Sequence, residues 1–221
     1  MRKLILKMSV SIDGFAAGPN GEIDWIFKTM DESCIPWVME TLSQAGLHIM
    51  GSRTFHDMAA YWPSSDEPFA KPMNEIPKAV FTRKGATVVP DISKTTTAFR
   101  DAVQINHVNE LTANNPNEKI RHSWNNPKVA GSDLVKDIAE LKNEPGSYIL
   151  AHGGAEFARS IIQAGLVDEY RLLIHPVILG KGLPVFSELS GPLRMKLVST
   201  VKFNAGTVAY VYRPENNTGA N

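Results

Sequence analysis

The chain has 221 residues, with 23 basic side chains against 23 acidic ones, 43% hydrophobic residues and a single cysteine, Cys34. Balanced charge without a lysine- or arginine-rich block argues against nucleic acid or an anionic membrane as the main partner. One cysteine excludes an intrachain disulfide framework and any multi-cysteine metal site.

In chain order, the opening "MRKLILKMSVSIDGF" reads as a strand over Lys3 to Ser11, because its apolar stretch is too short and too interrupted for a signal peptide or membrane span. A loop rich in glycine and proline follows, "DGFAAGPNGEIDW", and then a helix from about Pro36 to Ala45, with Pro36 in its first turn. Leu47 to Met50 form a buried strand, Gly51 and Ser52 a corner, and Thr54 to Ala60 a helix. "KAVFTRK" supplies another strand ending in Thr82, Arg83 and Lys84. The stretch of about 88–122 is polar and weakly periodic and reads as an insertion or excursion. Helical spacing returns through Leu134, Ile138 and Leu141, with Ser132 or Asp133 as N-cap and Pro145-Gly146 as the stop.

The run from Ile149 to Tyr170, "ILAHGGAEFARSIIQAGLVDEY", is again strand, corner and helix. Phe157, Ala158, Ile161, Ile162 and Leu166 recur at helical spacing, and Gly165 stands where a C-cap belongs. A strand from Glu169 to Val177 and the turn "LGKGLP" precede two alternating runs, "MKLVSTVKF" and "TVAYVYR", which predict an antiparallel hairpin. Strands separated by helices imply an α/β sheet covered on both faces and finished by antiparallel strands at one edge. No shift in composition divides the chain, so residues 1–214 read as one domain and 215–221 as a disordered tail.

Ligands of such sheets bind at the carboxyl ends of the strands, where "MGSRT", "FTRK" and "HGGAE" all fall. Gly153 and Gly154 are either a cradle that opens helix N–H groups to an anion or simply a tight turn between packed elements. Ser52, Thr54, Thr82, Arg53, Arg83 and Lys84 would give a phosphorylated dinucleotide hydroxyls and cations, with Arg83 and Lys84 placed to read a 2′-phosphate. Each of those cations has an equally plain reading as a solvated surface charge.

Taken together, "KMSVSIDGFAAGPNGEIDW", "HIMGSRTF", "YWP", "FAKPMNEIPKAVFTRK" and "ILAHGGAEFARSIIQAGLVDEYRLLIHPVILGKGLPVF" resemble the dihydrofolate reductase-like superfamily. The branch most similar is that of the C-terminal reductase domain of the bifunctional riboflavin-biosynthesis deaminase-reductase. The resemblance implies a three-layer αβα dihydrofolate reductase-like fold with a mixed, mostly parallel sheet. It also implies a cytoplasmic, NADPH-dependent oxidoreductase of the dihydrofolate reductase or 5-amino-6-(5-phosphoribosylamino)uracil reductase type. The expected acceptor is a small heterocycle, either a pyrimidinone ribosyl phosphate of riboflavin synthesis or a pterin. Carried over, Gly51, Ser52, Arg53 and Thr54 would hold the pyrophosphate and adenosine side. Thr82 and Arg83 would meet the 2′-phosphate, and Gly153, Gly154, Ala155 and Glu156 would line the nicotinamide and pyrophosphate corner. Ala16 and Ala17 would offer backbone groups to the carboxamide. Asp13 and Asp31 become the candidate catalytic acids, and Trp25 and Trp62 the candidate substrate walls.

Two departures qualify the resemblance. The fixed spacing before the "MG" corner that carries the acid of dihydrofolate reductases lands on Ile35, with Asp31 and Glu32 offset from it. No His-x-Glu or Cys-x-x-Cys signature of a deaminase half is present, and no histidine pair has zinc-ligand spacing. Asp13, in an Asp-Gly pair, reads equally as a turn former, and the tryptophans read equally as core. His152 and His175 read as strand residues facing packing partners. A homodimer through the late apolar strands is expected. The contrasting reading is a non-catalytic nucleotide-binding or dimeric interaction module with the same fold.

Overall fold

The computed structural model describes residues 1–83, 91–103 and 123–215. Ten strands are present among the described residues: β1 (Leu4–Ser11), β2 (Phe15–Ala17), β3 (Leu47–Gly51), β4 (Lys78–Phe81), β5 (Lys128–Ala130), β6 (Ile149–Ala151), β7 (Glu169–His175), β8 (Leu183–Pro184), β9 (Met195–Lys202) and β10 (Val208–Pro214). Between them lie the helices α1 (Asp24–Thr29), α2 (Ile35–Ser43), α3 (Ser52–Tyr61), α4 (Ala70–Glu75), α5 (Thr97–Ala102), α6 (Leu134–Asn143) and α7 (Ala155–Gln163). Eight strands make one sheet in the order β5-β4-β3-β6-β1-β7-β10-β9, and β2 pairs with β8 in a separate ribbon. Every pairing from β5 to β7 is parallel, whereas β10 runs antiparallel to both β7 and β9.

β1 is the central strand, and its side chains alternate between the faces as pleating requires. Leu4, Leu6, Met8 and Val10 join the core beneath α6 and α7, with Ile138, Leu141, Ala158, Ile161 and Ile162. Ile5 joins the opposite core, beneath α2, α3 and α4, with Val38, Leu42, Phe55 and Met73. Both faces are therefore covered, which explains why the parallel strands read as nearly continuous apolar runs. β9 is the exception: it forms an edge of the sheet, and its residues from Lys196 onward are exposed.

Several expectations shift by a residue or two. The second helix is Ile35–Ser43, and the third begins at Ser52, so that Ser52, Arg53 and Thr54 form its first turn. Asp133 is the N-cap of α6, accepting from Lys136 N at 3.1 Å. Gly165 follows the C-cap of α7 at φ +65°, in the left-handed region suited to glycine. The loop expected after β1 contains β2 and α1, elements of three and six residues that are too short to show a period.

Part of the expected excursion is packed structure. Asp57 on α3 accepts from Thr96 N at 2.7 Å and Thr96 Oγ at 3.2 Å, which docks the segment leading into α5. Residues 88–90 and 104–122 of that stretch, Lys84, and 216–221 of the expected tail lie outside the described residues. Glu215, assigned to the tail, is tied by its N–H to Arg194 O at 2.9 Å.

Candidate active site at the carboxyl ends of the strands

The corners after β3 and β6 touch. Gly153 and Gly154 have φ of +82° and +62°, conformations that side chains resist. A Cβ on Gly153 would run into Met8 Sδ of β1, and one on Gly154 would lie 2.6 Å from Thr54 Oγ of α3. A Cβ on Gly51 would stand 3.2 Å from Phe157 Cβ of α7. The glycines thus let two helix N-termini approach side by side. Neither α3 nor α7 takes a hydrogen bond from a side-chain cap, which leaves the first-turn N–H groups of Ser52 to Thr54 and of Ala155 to Phe157 able to meet an anion.

The third corner reaches the same place. Thr82 N donates to Ala130 O at 2.9 Å, and Arg83 Nη2 lies 3.5 Å from Glu156 Oε2, with both side chains largely exposed. An exposed pair of that length contributes little on its own, so the guanidinium can turn to a better anion. Ala16 and Ala17 lie buried on β2, and the ribbon is tied to the sheet ends through Ile12 N to Val177 O at 2.9 Å and Val185 N to Gly14 O at 3.1 Å. Ten of the cofactor-side residues, Gly51, Ser52, Arg53, Thr54, Thr82, Arg83, Gly153, Gly154, Ala155 and Glu156, thus sit on three mutually contacting corners.

The two candidate acids are both held by several donors. Asp13 accepts from Ser11 Oγ at 2.7 Å, Gly180 N at 2.7 Å and Leu179 N at 3.2 Å. Those donors, Ser11 foremost, hold its carboxyl below the usual range, the reverse of what a proton donor needs. It ties the end of β1 to the loop after β7. Asp31 caps the single helical turn Glu32–Cys34, accepting from Ser33 N at 2.8 Å, from Ser33 Oγ and from Ala205 N. Ser33 is again the leading cause of a lowered pKa. Both carboxylates act as anchors because each faces several donors and no apolar wall.

Trp25 is buried, donates through Nε1 to Glu22 O at 3.1 Å, and stands edge-on to His175 with ring centroids 5.2 Å apart. Trp62 follows α3, packs against the core beneath α2 and α4, and its carbonyl accepts from Asn74 Nδ2 at 2.8 Å. Trp25 is thus joined to the end of β7, and Trp62 is tied to α4.

The residue missed in the sequence is Lys7. It lies in the middle of β1 on the α2 side, and burial pushes its ammonium down to about 8. Among the described residues it makes no hydrogen bond or ion pair. Cys34, buried in the same core, offsets that shift slightly, and burial pushes its own thiol up. His152, directly before the glycine pair, packs edge-on against His48 at 4.4 Å, and burial, then His48, Lys7 and Lys78, hold it well below the ordinary histidine value. The available signal was a charge interrupting the apolar run "LILKMSV". Among the described residues no group of three or more His, Cys, Asp or Glu side chains is placed to hold a metal.

Comparison with known proteins follows the same outline. The model of the RibD C-terminal domain matches residues 2–209. The chain belongs to this family. It is 30% identical over 211 residues to the uncharacterized protein YyaP of Bacillus subtilis (strain 168), covering 96% of this chain and 94% of that one. A putative riboflavin biosynthesis protein from Shewanella sp. PV-4 shares the fold with a TM-score of 0.66 at 19% identity, over 97% of this chain and 99% of that one. Dihydrofolate reductase from Enterococcus faecalis, solved with NADP(H), shares it with a TM-score of 0.56 at 13% identity, over 97% of each chain. The fold is therefore the three-layer, dihydrofolate reductase-like one, and membership of the family supports an oxidoreductase role. No helix among the described residues is long and apolar enough to cross a membrane.

Proposed function

We propose that this chain is an NADPH-dependent reductase that delivers hydride to a small heterocycle, a pyrimidinone ribosyl phosphate or a pterin. The observation that carries the reading is the meeting of two uncapped helix N-termini with Arg83 at the carboxyl ends of β3, β4 and β6. Such an arrangement suits a dinucleotide: the α3 and α7 termini would take pyrophosphate oxygens, and Thr82 and Arg83 the 2′-phosphate. Ala16 and Ala17 would meet the carboxamide. Bound there, NADPH supplies the hydride.

The proton is assigned to Lys7. A general acid works best when its pKa lies near the working pH, and burial sets the Lys7 ammonium at about 8. Its Nζ proton passes to the acceptor atom that gains negative charge as hydride arrives, and solvent restores it. Lys7 is half-buried, so solvent can reach it, and Trp25 supplies an aromatic wall.

The same reading extends to assembly. Leu197, Val198 and Val201 are exposed along β9, whose outer edge is unpaired among the described strands. A second copy would pair there, and Val198→Lys is expected to shift the mass in light scattering from dimer to monomer.

Titration of tryptophan fluorescence with NADPH and with NADH tests the cofactor assignment. Arg83→Ala is expected to weaken NADPH binding about tenfold or more, the scale of a charge-assisted contact, and to leave NADH binding unchanged. No saturable binding of either nucleotide overturns the proposal.

A further inference from the structure

Between α2 and the strands β7, β10 and β9 lies a cleft of about 240 Å³, walled by Trp37 and Thr41 of α2, Arg171 of β7, and Val211 and Arg213 of β10. Glu169, which also lines it, is the first residue of β7, six residues before His175. That spacing sets the cleft about 20 Å along the sheet from the carboxyl ends of the strands, where the cofactor corners are. Its outer wall comes from an irregularity in the hairpin: Ser199 pairs with Val211 and Leu197 with Tyr212, so Val198 is an extra residue on β9. Such a bulge re-aims side chains. Val198 and Ser199 accordingly both line the cleft, although a regular strand would send neighbours to opposite faces.

The charges in the cleft are held in place before any ligand arrives. Glu169, its side chain only 4% exposed, is gripped from both sides: Arg171 Nε donates to Oε1 at 2.9 Å, and Arg213 Nε and Nη2 donate to Oε2 at 3.0 and 2.9 Å. Burial alone would raise its pKa, yet the bonds from Arg213 and Arg171 hold it below the ordinary carboxylate range, so it stays ionised. Arg171 is fixed further by Thr41 Oγ, which accepts from Nη1 at 3.1 Å, and by the Tyr148 ring, whose centroid lies 5.2 Å from the guanidinium carbon. Two donors are left over. Arg171 Nη2 and Arg213 Nη1 make no hydrogen bond among the described residues, and because both guanidiniums grip one carboxylate, these N–H groups lie within reach of a single small ligand. Glu169 balances one guanidinium of the two. No other acid pairs with either among the described residues, since Glu40 at the rim is exposed and accepts from Gln44 Nε2 at 3.2 Å.

We infer that this cleft is a second binding site, separate from the cofactor corners, and that it takes a small organic monocarboxylate. The ligand's carboxylate accepts from Arg171 Nη2 and Arg213 Nη1 in charge-assisted bonds, and its apolar body rests on Trp37, Val198 and Val211. One unbalanced guanidinium matches a monoanion better than a phosphate dianion. The volume falls below the roughly 300–1,000 Å³ of pockets for drug-sized ligands, which limits the body to about one ring. Trp37 is a firm wall for such a ring, standing edge-on to the buried Phe203 with centroids 6.4 Å apart. A second copy pairing along β9 uses the outer backbone edge, whereas the cleft uses side chains of one face, so both fit together. The inference does not depend on the reductase reading.

The test titrates 4-fluorobenzoate, followed by fluorine NMR, into the full chain with and without saturating NADP, and uses 4-fluorobenzamide as the neutral counterpart. Wild type should bind the acid saturably, and the amide about tenfold or more weakly, the scale of hydrogen bonds to charged groups. Saturating NADP should leave the acid's affinity unchanged. Arg213→Gln removes one guanidinium while Arg171 keeps Glu169 paired, and should weaken the acid about tenfold without altering the amide. Ser199→Phe fills the cleft from an exposed strand position with the ion pairs intact, should weaken acid and amide alike, and serves where the Arg213 variant fails to fold. Unfolding temperature and NADPH binding are checked for each variant and should match wild type. No saturable binding of the acid by wild type, equal binding of acid and amide, or acid binding undiminished in folded Ser199→Phe overturns the inference and leaves Arg171, Glu169 and Arg213 as a purely structural network. None of these results touches the reductase reading, and loss of NADPH binding would remove that reading while this inference stands.

Discussion

Replacing Lys7 by methionine should make the protein more stable and inactive as a reductase. The buried ammonium is held at about 8 against an ordinary 10.5, and at about 1.4 kcal/mol per pH unit this corresponds to about 3 kcal/mol against folding while the lysine is charged. Between pH 8 and 10.5 the unfolded chain binds this proton and the folded one does not, so stability rises with pH across that window. Below pH 8 both states are protonated and the full cost is present. Above 10.5 neither is, and the cost has gone. Lys7→Met should therefore exceed wild type by about 3 kcal/mol at pH 7, or roughly 6 to 12 °C in Tm for a chain of this size, and the two should converge by pH 10.5. Methionine fills nearly the same volume, so no cavity term intrudes. Urea unfolding of both proteins at pH 7, 9 and 10.5 measures the difference directly, since Lys78 and the other titrating groups cancel. A difference that is absent at pH 7, or unchanged at pH 10.5, refutes both the buried charge and the proton assignment built on it. In parallel, the variant should bind NADPH as wild type does and turn over no acceptor.

Other consequences are more local. Gly154→Ala puts a Cβ 2.6 Å from Thr54 Oγ at φ +62°, and should cost about 1 to 3 kcal/mol and weaken NADPH. Gly165→Ala, with φ +65° and open space around it, should cost less and leave NADPH binding intact, as paired thermal melts and titrations will show. Asp31→Ala removes a cap that also holds Ala205 N and should cost about 1 kcal/mol without altering the pH profile of turnover; a lost pH limb would restore Asp31 as the acid. Asp57→Ala releases Thr96 from α3, and hydrogen exchange at Thr96 should quicken while exchange in β1 stays slow.

How much of this was legible beforehand follows from the range of the interactions involved. Corners were legible because a glycine pair between an apolar run and a helical period is a local pattern, and "MGSRT", "FTRK" and "HGGAE" carry it within a few residues each. That the sheet is mostly parallel was reachable through the alternation of strands and helices, since parallel neighbours need crossovers; the strand order was not. β2, α1, α4 and β5 were not, because three to six residues are too few to display a period. The hydrogen-bond partners of Asp13 and Asp31 were hidden for a related reason. A carboxylate's role depends on its neighbours, and the donors that hold these two include Gly180 N and Ala205 N, each more than 160 residues away.

The amino-acid sequence by itself determined which segments become strands and helices, where the chain turns, and that three phosphate-compatible corners lie at strand ends. Tertiary structure alone decided that Gly154 rests against Thr54, that Arg83 reaches Glu156, and that Lys7 and His175 share one sheet face. Backbone preference and hydrophobic period act over a few residues, and a sequence shows them directly. Burial and pKa depend on what the fold brings alongside a group, and for Lys7 and His175 that company comes from distant parts of the chain.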